Sequence, residues 1–285
     1  MIRIDSHQHF WRYTPLEYSW ISDAMKVLKR DFLPDDLAPL LHANGINGSI
    51  AVQARQTLEE THWLLELAAG HPLVKGVVGW VDLCSPQLDT QLEELVPNRR
   101  LVGLRHVLQD EPEDDFMLRP EFQRGIGRLA AHGLVYDILI YPRHLPLAAQ
   151  LVRAFPNQQF VLDHLAKPLI AEGQIEPWSR DLRELARCPN VACKLSGMVT
   201  EARWNAWRRE DFLPYLDVAL EAFGPERLMI GSDWPVCTLS GDYGSVMAIG
   251  VDYTQPLSAS ERASILGGAC ARIYRIDTVS EDLSC

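Results

Sequence analysis

The chain has 285 residues, of which 47% are hydrophobic, and a formal net charge of −11. This length fits one α/β barrel or two small domains. The acidic balance, with no Lys/Arg-rich run, excludes the electrostatic footprint of a protein that binds nucleic acid or an anionic membrane surface. No apolar run is long enough for a membrane span, and no basic segment with an apolar core opens the chain, so we expect neither a membrane helix nor a targeting segment.

Cysteine usage points to a reducing compartment. The chain contains Cys84, Cys188, Cys193, Cys237, Cys270 and Cys285, and no two of them form a Cys-X-X-Cys pair. Scattered cysteines of this kind are typical of reduced thiols, which predicts a cytoplasmic protein. The sequence leaves the oligomeric state open.

The first strand is predicted at the very start of the chain, with Ile2 and Ile4 on one face, and it ends in His7-Gln-His9. Side chains two apart on a strand point to the same side. Two such imidazoles can share a metal ion, a substrate oxygen or a proton. Two unconnected surface histidines are the alternative. A shared site is favoured by a distant apolar strand that runs into Asp233.

Strands and amphipathic helices alternate between these two segments. Further strands are predicted at residues 46–53, 74–82, 101–106, 134–141, 160–164, 191–197 and 228–233, and a capping box at residues 57–60 opens one of the helices. Strand-to-strand spacing of roughly 25 to 45 residues suits right-handed parallel crossovers and not hairpins. We therefore predict one (β/α)8 TIM-type barrel as a single domain over residues 1–285. An open doubly wound sheet is the alternative, but its usual glycine-rich turn is replaced here by His-Gln-His.

In such barrels catalytic groups lie at the carboxyl ends of the strands. These ends are polar on all eight predicted strands, which predicts a site in that mouth. The residues concerned are His7, His9, Gln53, Arg55, Asp82, Arg105, His106, Asp137, Tyr141, His164, Lys194, Ser196 and Asp233. Arg105 and His106 should point to opposite faces of a regular strand, so we expect one of them to face a substrate.

Other aromatic and histidine residues are weaker candidates. Trp11, Trp20, Trp80 and Trp234 suit stacking on a sugar ring, with ordinary core packing as the alternative. His42, His62, His71, His132 and His144 fall on helices or helix-side loops and are expected at the surface.

Several short motifs together resemble the amidohydrolase superfamily. They are Asp5-X-His7-X-His9, a histidine after the sixth strand, and Gly231-Ser-Asp233-Trp-Pro. Within that superfamily, segments 79–83 (GWVDL), 103–106 (GLRH), 163–167 (DHLAK) and 193–197 (CKLSG) are similar to the sugar-lactonase branch, which contains L-fuconolactonase and L-rhamnonolactonase and is related to 2-pyrone-4,6-dicarboxylate lactonase. The resemblance spans nearly the whole chain. It implies a distorted (β/α)8 barrel that hydrolyses a small-molecule sugar-acid lactone, with L-fuconolactone or a related aldonolactone as the expected substrate.

The chain departs from the two-metal members of the superfamily. Those members carry a bridging Lys or Glu at strand four and a metal-binding His at strand five, where this chain has Arg105-His106 and Asp137. We therefore expect no more than one zinc ion, held by His7, His9 and Asp233, with His164 as a fourth candidate. A lactone is an activated ester, so a cationic side chain can replace the metal as the polarising group, and we do not expect zinc to be strictly required. No organic cofactor is implied.

The expected mechanism is attack of an Asp233-activated water on the lactone carbonyl. The catalytic candidates are Asp233, His164, Arg105 and His106, and the substrate-binding candidates are Gln53, Arg55, Asp137, Tyr141, Lys194, Ser196, Trp11 and Trp20. No Gly-X-Ser-X-Gly nucleophile motif is present, so an acyl-enzyme is not expected. Two alternatives stay open: a zinc-dependent decarboxylase or amide hydrolase on the same scaffold, and a non-catalytic barrel that only binds ligands.

Overall fold

The structure is a computed structural model that describes residues 1–277. Within these residues, eight parallel strands form one sheet whose order is the order of the sequence. The strands are β1 Ile4–Gln8, β2 Gly48–Val52, β3 Val74–Gly79, β4 Leu101–His106, β5 Val135–Ile138, β6 Phe160–Leu162, β7 Val191–Leu195 and β8 Leu228–Ile230. The predicted (β/α)8 barrel is confirmed.

Helices cover the outside of the sheet. Over residues 1–277 the α-helices are α1 Pro34–Ala43, α2 Leu58–Gly70, α3 Leu88–Leu95, α4 Pro120–Leu129, α5 Leu145–Ala154, α6 Trp178–Ala186, α7 Met198–Glu201, α8 Leu213–Phe223, α9 Tyr243–Tyr253, α10 Ala259–Ala263 and α11 Ala269–Ile273. None of these helices has the length and apolar composition that a bilayer crossing requires. Five cysteines in this part of the chain are free thiols, whereas Cys285 lies outside the described residues.

The seam between β1 and β8 closes the barrel just beyond the end of β8. The amide of Asp233 donates to the His7 carbonyl at 2.8 Å, and the amide of His9 donates to the Trp234 carbonyl at 2.7 Å. Gln8 and Trp234 form the corresponding parallel bridge. The seam therefore lies at the residues that the sequence marks as functional.

Two apolar layers explain why the strands are apolar on both faces. The larger layer packs between sheet and helices, and the smaller one fills the barrel with side chains such as Ile4, Ile50, Val78 and Val161. Residues from α11 and the turn after it, among them Tyr274, join the inner layer. The polar side chains are thereby left to the other end of the barrel.

Three local expectations need correction. The capping box of α2 is only half formed, because Thr57 accepts from the Glu60 amide at 3.2 Å, whereas the Glu60 carboxylate accepts from the amides of Ala54 and Arg55. β3, β5, β6, β7 and β8 end two or three residues before their predicted ends. The polar residues that follow these strands therefore lie in the next turns: Asp82, Tyr141, His164, Ser196 and Asp233. His144 is buried instead of exposed, because its Nε2 bonds to an Asp114 oxygen at 2.9 Å.

Candidate active site

The imidazole rings of His7 and His9, at the end of β1, are in contact with each other. His9 Nδ1 lies 2.8 Å from the carbonyl oxygen of Val52. Because a carbonyl only accepts, Nδ1 carries the proton and Nε2 presents a lone pair to the site. This Nε2 lies 3.2 Å from His7 Nε2 and 3.3 Å from Asp233 Oδ1.

His164 is presented by a short left-handed turn after β6. Residues 164–167 all have positive φ, between 53° and 59°, although none is glycine, and this backbone is unfavourable for L-residues. The Lys167 amide donates to the His164 carbonyl at 2.7 Å, and Trp178 Nε1 donates to the Leu165 carbonyl at 2.7 Å. Tertiary contacts thus hold a conformation that the local sequence does not favour.

The end of β7 fixes the imidazole of His164. Its Nδ1 lies 2.8 Å from Ser196 Oγ, so that Nε2 faces the site, 4.0 Å from Asp233 Oδ1. Gly197 has a φ of 63°, and a Cβ built there would lie 2.5 Å from His164 Nδ1. Both the turn and the close approach of the ring therefore require glycine at this position.

The loop that carries Asp233 is held from the β1 side by a second carboxylate, through the residue before Asp233. Buried Asp5 accepts from the Ser232 amide at 2.8 Å and the Ser232 hydroxyl at 2.6 Å. It also accepts from the Tyr243 hydroxyl at 3.1 Å. Asp233 itself has a φ of 57°. The first residue of the Asp-X-His-X-His motif therefore positions the loop that carries Asp233.

The donor set fits a single zinc ion. In the described residues, ligand atoms of His7, His164 and Asp233 lie within 4.8 Å of one another, and His9 Nε2 is next to two of them. Since His9 Nδ1 is protonated, its Nε2 lone pair faces the Asp233 carboxylate directly. Two facing acceptors are stabilised by a cation or proton between them, and imidazole with carboxylate is a ligand set that zinc prefers.

Burial sets the charge state of these groups. It lowers the pKa of His164 to about 4 and the pKa of His7 well below its usual range, so both imidazoles are neutral at pH 7. Burial alone would raise the pKa of Asp233, but the imidazoles of His164, His9 and His7 outweigh it and hold that pKa below the ordinary value. The site thus combines the Asp233 carboxylate with the neutral imidazoles of His7 and His164.

A buried ion network lies behind the histidines. Asp163 Oδ2 accepts from Arg105 at 3.0 Å, and its Oδ1 lies 2.9 Å from Lys194 Nζ. Lys194 also contacts Asp137 at 2.5 Å, whose carboxylate accepts from the Tyr274 hydroxyl. Burial raises the pKa of Asp137, to about 6, whereas Lys194, His7 and Arg105 hold the pKa of Asp163 well below its ordinary value despite burial.

An open cavity of about 740 Å³ lies over the site. Of the candidate residues, His9, Arg105, His164, Asp233, Arg55, Tyr141, Trp11 and Trp20 line it. This volume is typical of a small-molecule site. Charged and aromatic side chains predicted from different strand ends therefore share one cavity.

Other candidates lie outside the cavity lining. Gln53, Asp137, Lys194 and Ser196 are fully or almost fully buried behind it, where Gln53 accepts from Arg105 at 2.9 Å. His106 points away from Arg105, as strand alternation predicts, and stacks on Phe116 with its Nε2 2.6 Å from Glu111 Oε1. Trp80 Nε1 donates to His106 Nδ1 at 3.3 Å, and Trp234 packs against Phe32.

Sequence reasoning missed four charged residues of the cavity. Glu17, Asp110, Lys167 and Glu201 also line it. Lys167 stands inside the DHLAK segment, and Glu201 ends the short helix α7 that follows β7. Position after a strand end, on the side where barrel loops form active sites, is the signal that could have found Glu201.

Known proteins are similar to this chain over nearly its whole length. The amidohydrolase family model matches residues 4–276. L-fucono-1,5-lactonase from Burkholderia multivorans is 46% identical, with 96% of each chain covered, and the enzyme of the same name from Burkholderia ambifaria is 40% identical, with 98% of each covered. A crystal structure of a Burkholderia multivorans amidohydrolase with bound zinc, 46% identical, has a TM-score of 0.93 and covers 97% of this chain and 100% of that one. On this match over nearly its full length, the chain belongs to the amidohydrolase family.

Proposed function

We propose that this chain hydrolyses the lactone of a sugar acid, with L-fucono-1,5-lactone or a closely related aldonolactone as substrate. The observation that carries the proposal is the convergence of Asp233, His9 and His164 on a cavity of about 740 Å³. The similarity to two L-fucono-1,5-lactonases supports the choice of substrate class.

Asp233 is the general base in this proposal. Its carboxylate is ionised at neutral pH, because the surrounding imidazoles hold its pKa below the ordinary value despite burial. It removes a proton from water as the water oxygen attacks the lactone carbonyl. When the ring C–O bond breaks, protonated Asp233 returns the proton to the leaving ring oxygen.

Arg105 faces the oxyanion that develops on the carbonyl oxygen, and in the metal-free site His164 does so too, through an Nε2–H group while its Nδ1 accepts from the Ser196 hydroxyl. Arg105 is preorganised, since Asp163 and Gln53 hold its guanidinium, and preorganised donors stabilise developing charge without reorganisation. His7, His164 and Asp233, with His9 beside them, would hold a zinc ion, which when bound supplies Lewis-acid polarisation of the carbonyl. His106 has no part in this scheme, because it lies outside the cavity lining.

Substrate recognition falls to Arg55, Tyr141, Trp11 and Trp20, all of which line the cavity. The hydroxyl and guanidinium groups suit sugar hydroxyls, and the indole rings suit the apolar face of a sugar. Gln53, Ser196, Lys194 and Asp137 then act by positioning Arg105, His164 and His7.

We also infer that the enzyme works in the cytosol. The inference rests on the free thiols of Cys84, Cys188, Cys193, Cys237 and Cys270, because cysteines of secreted proteins are usually paired.

A hydrolysis screen with a pH indicator tests the proposed function. The panel contains 1,4- and 1,5-lactones of several sugar acids, a pyrone dicarboxylate and an acyl-homoserine lactone. We expect the highest kcat/KM for a deoxy-hexonic or pentonic lactone, since the cavity is lined by hydroxyl-compatible groups. Faster turnover of the dicarboxylate or of the acylated lactone than of every sugar lactone would overturn the proposal.

A further inference from the structure

Lys167 and Glu201 differ from the other buried and half-buried charged groups of the cavity. Arg55 pairs with Glu17 and Glu60, and Arg105 pairs with Asp163. Neither Lys167 nor Glu201 takes part in an ion pair within residues 1–277, although both line the cavity and are half-buried. These two half-buried charged groups are thus available to a ligand, whereas Asp110, which also lines the cavity without an ion pair in the described residues, is exposed to solvent.

The backbone fixes the positions of Lys167 and Glu201 beside the cavity. Lys167 ends the left-handed turn whose amide donates to the His164 carbonyl at 2.7 Å, and its Nζ lies 5.5 Å from the centre of the Tyr141 ring. Glu201 ends α7, and the nearest donor to its carboxylate is the Thr200 hydroxyl at 3.4 Å. That hydroxyl already donates to the Gly197 carbonyl at 2.8 Å, so the Glu201 carboxylate keeps its accepting capacity.

The charges of Lys167, Glu201 and Asp233 affect one another. Burial raises the pKa of Glu201, the Lys167 ammonium opposes this shift, and the Asp233 carboxylate adds to it. Lys167 and Glu201 line the same cavity as Asp233 and His164, so both can contact a molecule that lies over those two residues.

A sugar lactone presents hydroxyl groups that both donate and accept. An ammonium can only donate and a carboxylate can only accept, so together they satisfy both roles of neighbouring hydroxyls. A partly desolvated charge without a partner is unfavourable, and a ligand that lacks the hydroxyls would leave it so. A donor and an acceptor in the same cavity therefore discriminate between a sugar lactone and a plain lactone of the same ring size.

We propose that Lys167 and Glu201 are the specificity-determining pair of this cavity, with Lys167 donating to, and Glu201 accepting from, hydroxyl groups of the lactone. The inference rests on the proposed function, which supplies the substrate class. The pair binds the substrate and takes no part in the transfer of the proton.

The test compares a sugar 1,5-lactone with δ-valerolactone, which has the same ring and no hydroxyl. Lys167→Met and Glu201→Gln keep the size of each side chain and remove its charge. Lys75→Met, in β3, and Glu172→Gln, on the exposed turn before α6, are the matched controls because neither residue lines the cavity. For each protein, kcat/KM is measured for both lactones, and δ-valerolactone is also measured as a competitive inhibitor.

We expect Lys167→Met and Glu201→Gln to lower kcat/KM for the sugar lactone by about 10- to 100-fold, which corresponds to one hydrogen bond to a charged group. The kcat/KM and the inhibition constant for δ-valerolactone should change less than about threefold, which a general effect on the fold or the chemical step would not produce. Equal losses for both lactones, or none for either, overturn the pair's role while the proposed function stands. A parent protein that neither turns over nor binds any sugar lactone overturns both.

Discussion

At the scale of single residues, Asp233 carries more constraints than any other member of the site. Its amide closes the barrel on the His7 carbonyl, its φ of 57° places it in the left-handed region, and its carboxylate faces three imidazoles. The backbone constraints and the proposed chemistry can be separated by changing only the carboxylate.

Asp233→Asn should lower kcat for the sugar lactone by about 100-fold or more, because an amide cannot accept the proton of the attacking water. Asparagine tolerates left-handed backbone, so the fold should be retained. Steady-state kinetics and circular dichroism measure the two effects, with Asp35→Asn on the exposed surface as control. A variant with normal circular dichroism and activity within a few-fold of the parent removes Asp233 from the mechanism.

Asp163 is expected to matter for stability. It lies between Arg105 and Lys194, and all three are buried. Asp163→Asn leaves two buried cations short of an anion, so the free energy of unfolding should fall by about 3–5 kcal/mol. Urea unfolding measures this change.

The control is Glu184→Gln, which weakens an exposed pair with Arg153 and should leave the urea midpoint unchanged within error. If Asp163→Asn unfolds at the same urea concentration as the parent, the buried network does not stabilise the fold.

The sequence predicted the site residues whose orientation follows from their position at the end of a strand. His7 and His9 meet because alternation on β1 puts them on one side, and Arg105 and His106 separate for the same reason. Burial depth was not predictable, since Lys194 has the same place at a strand end as a surface lysine would. Glu201 carried no pattern of its own beyond its place after β7.

At the scale of elements, the left-handed turn at residues 164–167 has a measurable conformational cost. Ala166 is fully buried in that turn with a φ of 59°, and Ala219 is equally buried in the right-handed helix α8. Glycine is favoured over alanine in the first conformation and disfavoured by about 1 kcal/mol in the second. Ala166→Gly should therefore destabilise the protein less than Ala219→Gly, by about 2 kcal/mol.

Thermal and urea unfolding of the two variants supply the comparison, which cancels the loss of one buried methyl group in each. Equal destabilisation would mean that the turn is not strained relative to an ordinary helix.

The order and type of the elements were predictable because apolar strands alternate with capped amphipathic helices. The ends of β6 and β8 were not, because His164 and Asp233 closely follow apolar strands and no local pattern marks the left-handed backbone that they adopt. The half-formed cap of α2 has a similar origin. The Glu60 carboxylate accepts from the free amides of Ala54 and Arg55 at the end of β2. These amides do not belong to the capping pattern, so the pattern could not predict the contact.

At the scale of the whole molecule, the metal content should not exceed about one zinc per chain. The donors gather at a single centre of His7, His164 and Asp233 within residues 1–277, and the strands that would complete a second centre carry Arg105 and Asp137 in a buried ion network. Elemental analysis of protein loaded with zinc and then desalted checks the number.

Two tightly held metal ions per chain would contradict this assignment. Activity after complete chelation is the companion measurement. Full activity without metal would assign polarisation of the carbonyl to the cationic side chains, whereas loss that zinc alone restores would assign it to the ion.

The seam between β1 and β8 ties occupancy of the site to cohesion of the barrel. His7, His9 and Asp233 present their side chains to the ligand and use their backbones to join the first strand to the last. Opening the seam therefore dismantles the site, and any ligand that binds only the assembled site holds the seam shut by mass action. Hydrogen–deuterium exchange reads this directly. The amides of His9 and Asp233 should exchange more slowly when zinc or an aldonic acid is present, while the amides between β4 and β5 keep their exchange rates. Slower exchange at these two amides would then indicate that a ligand occupies the site.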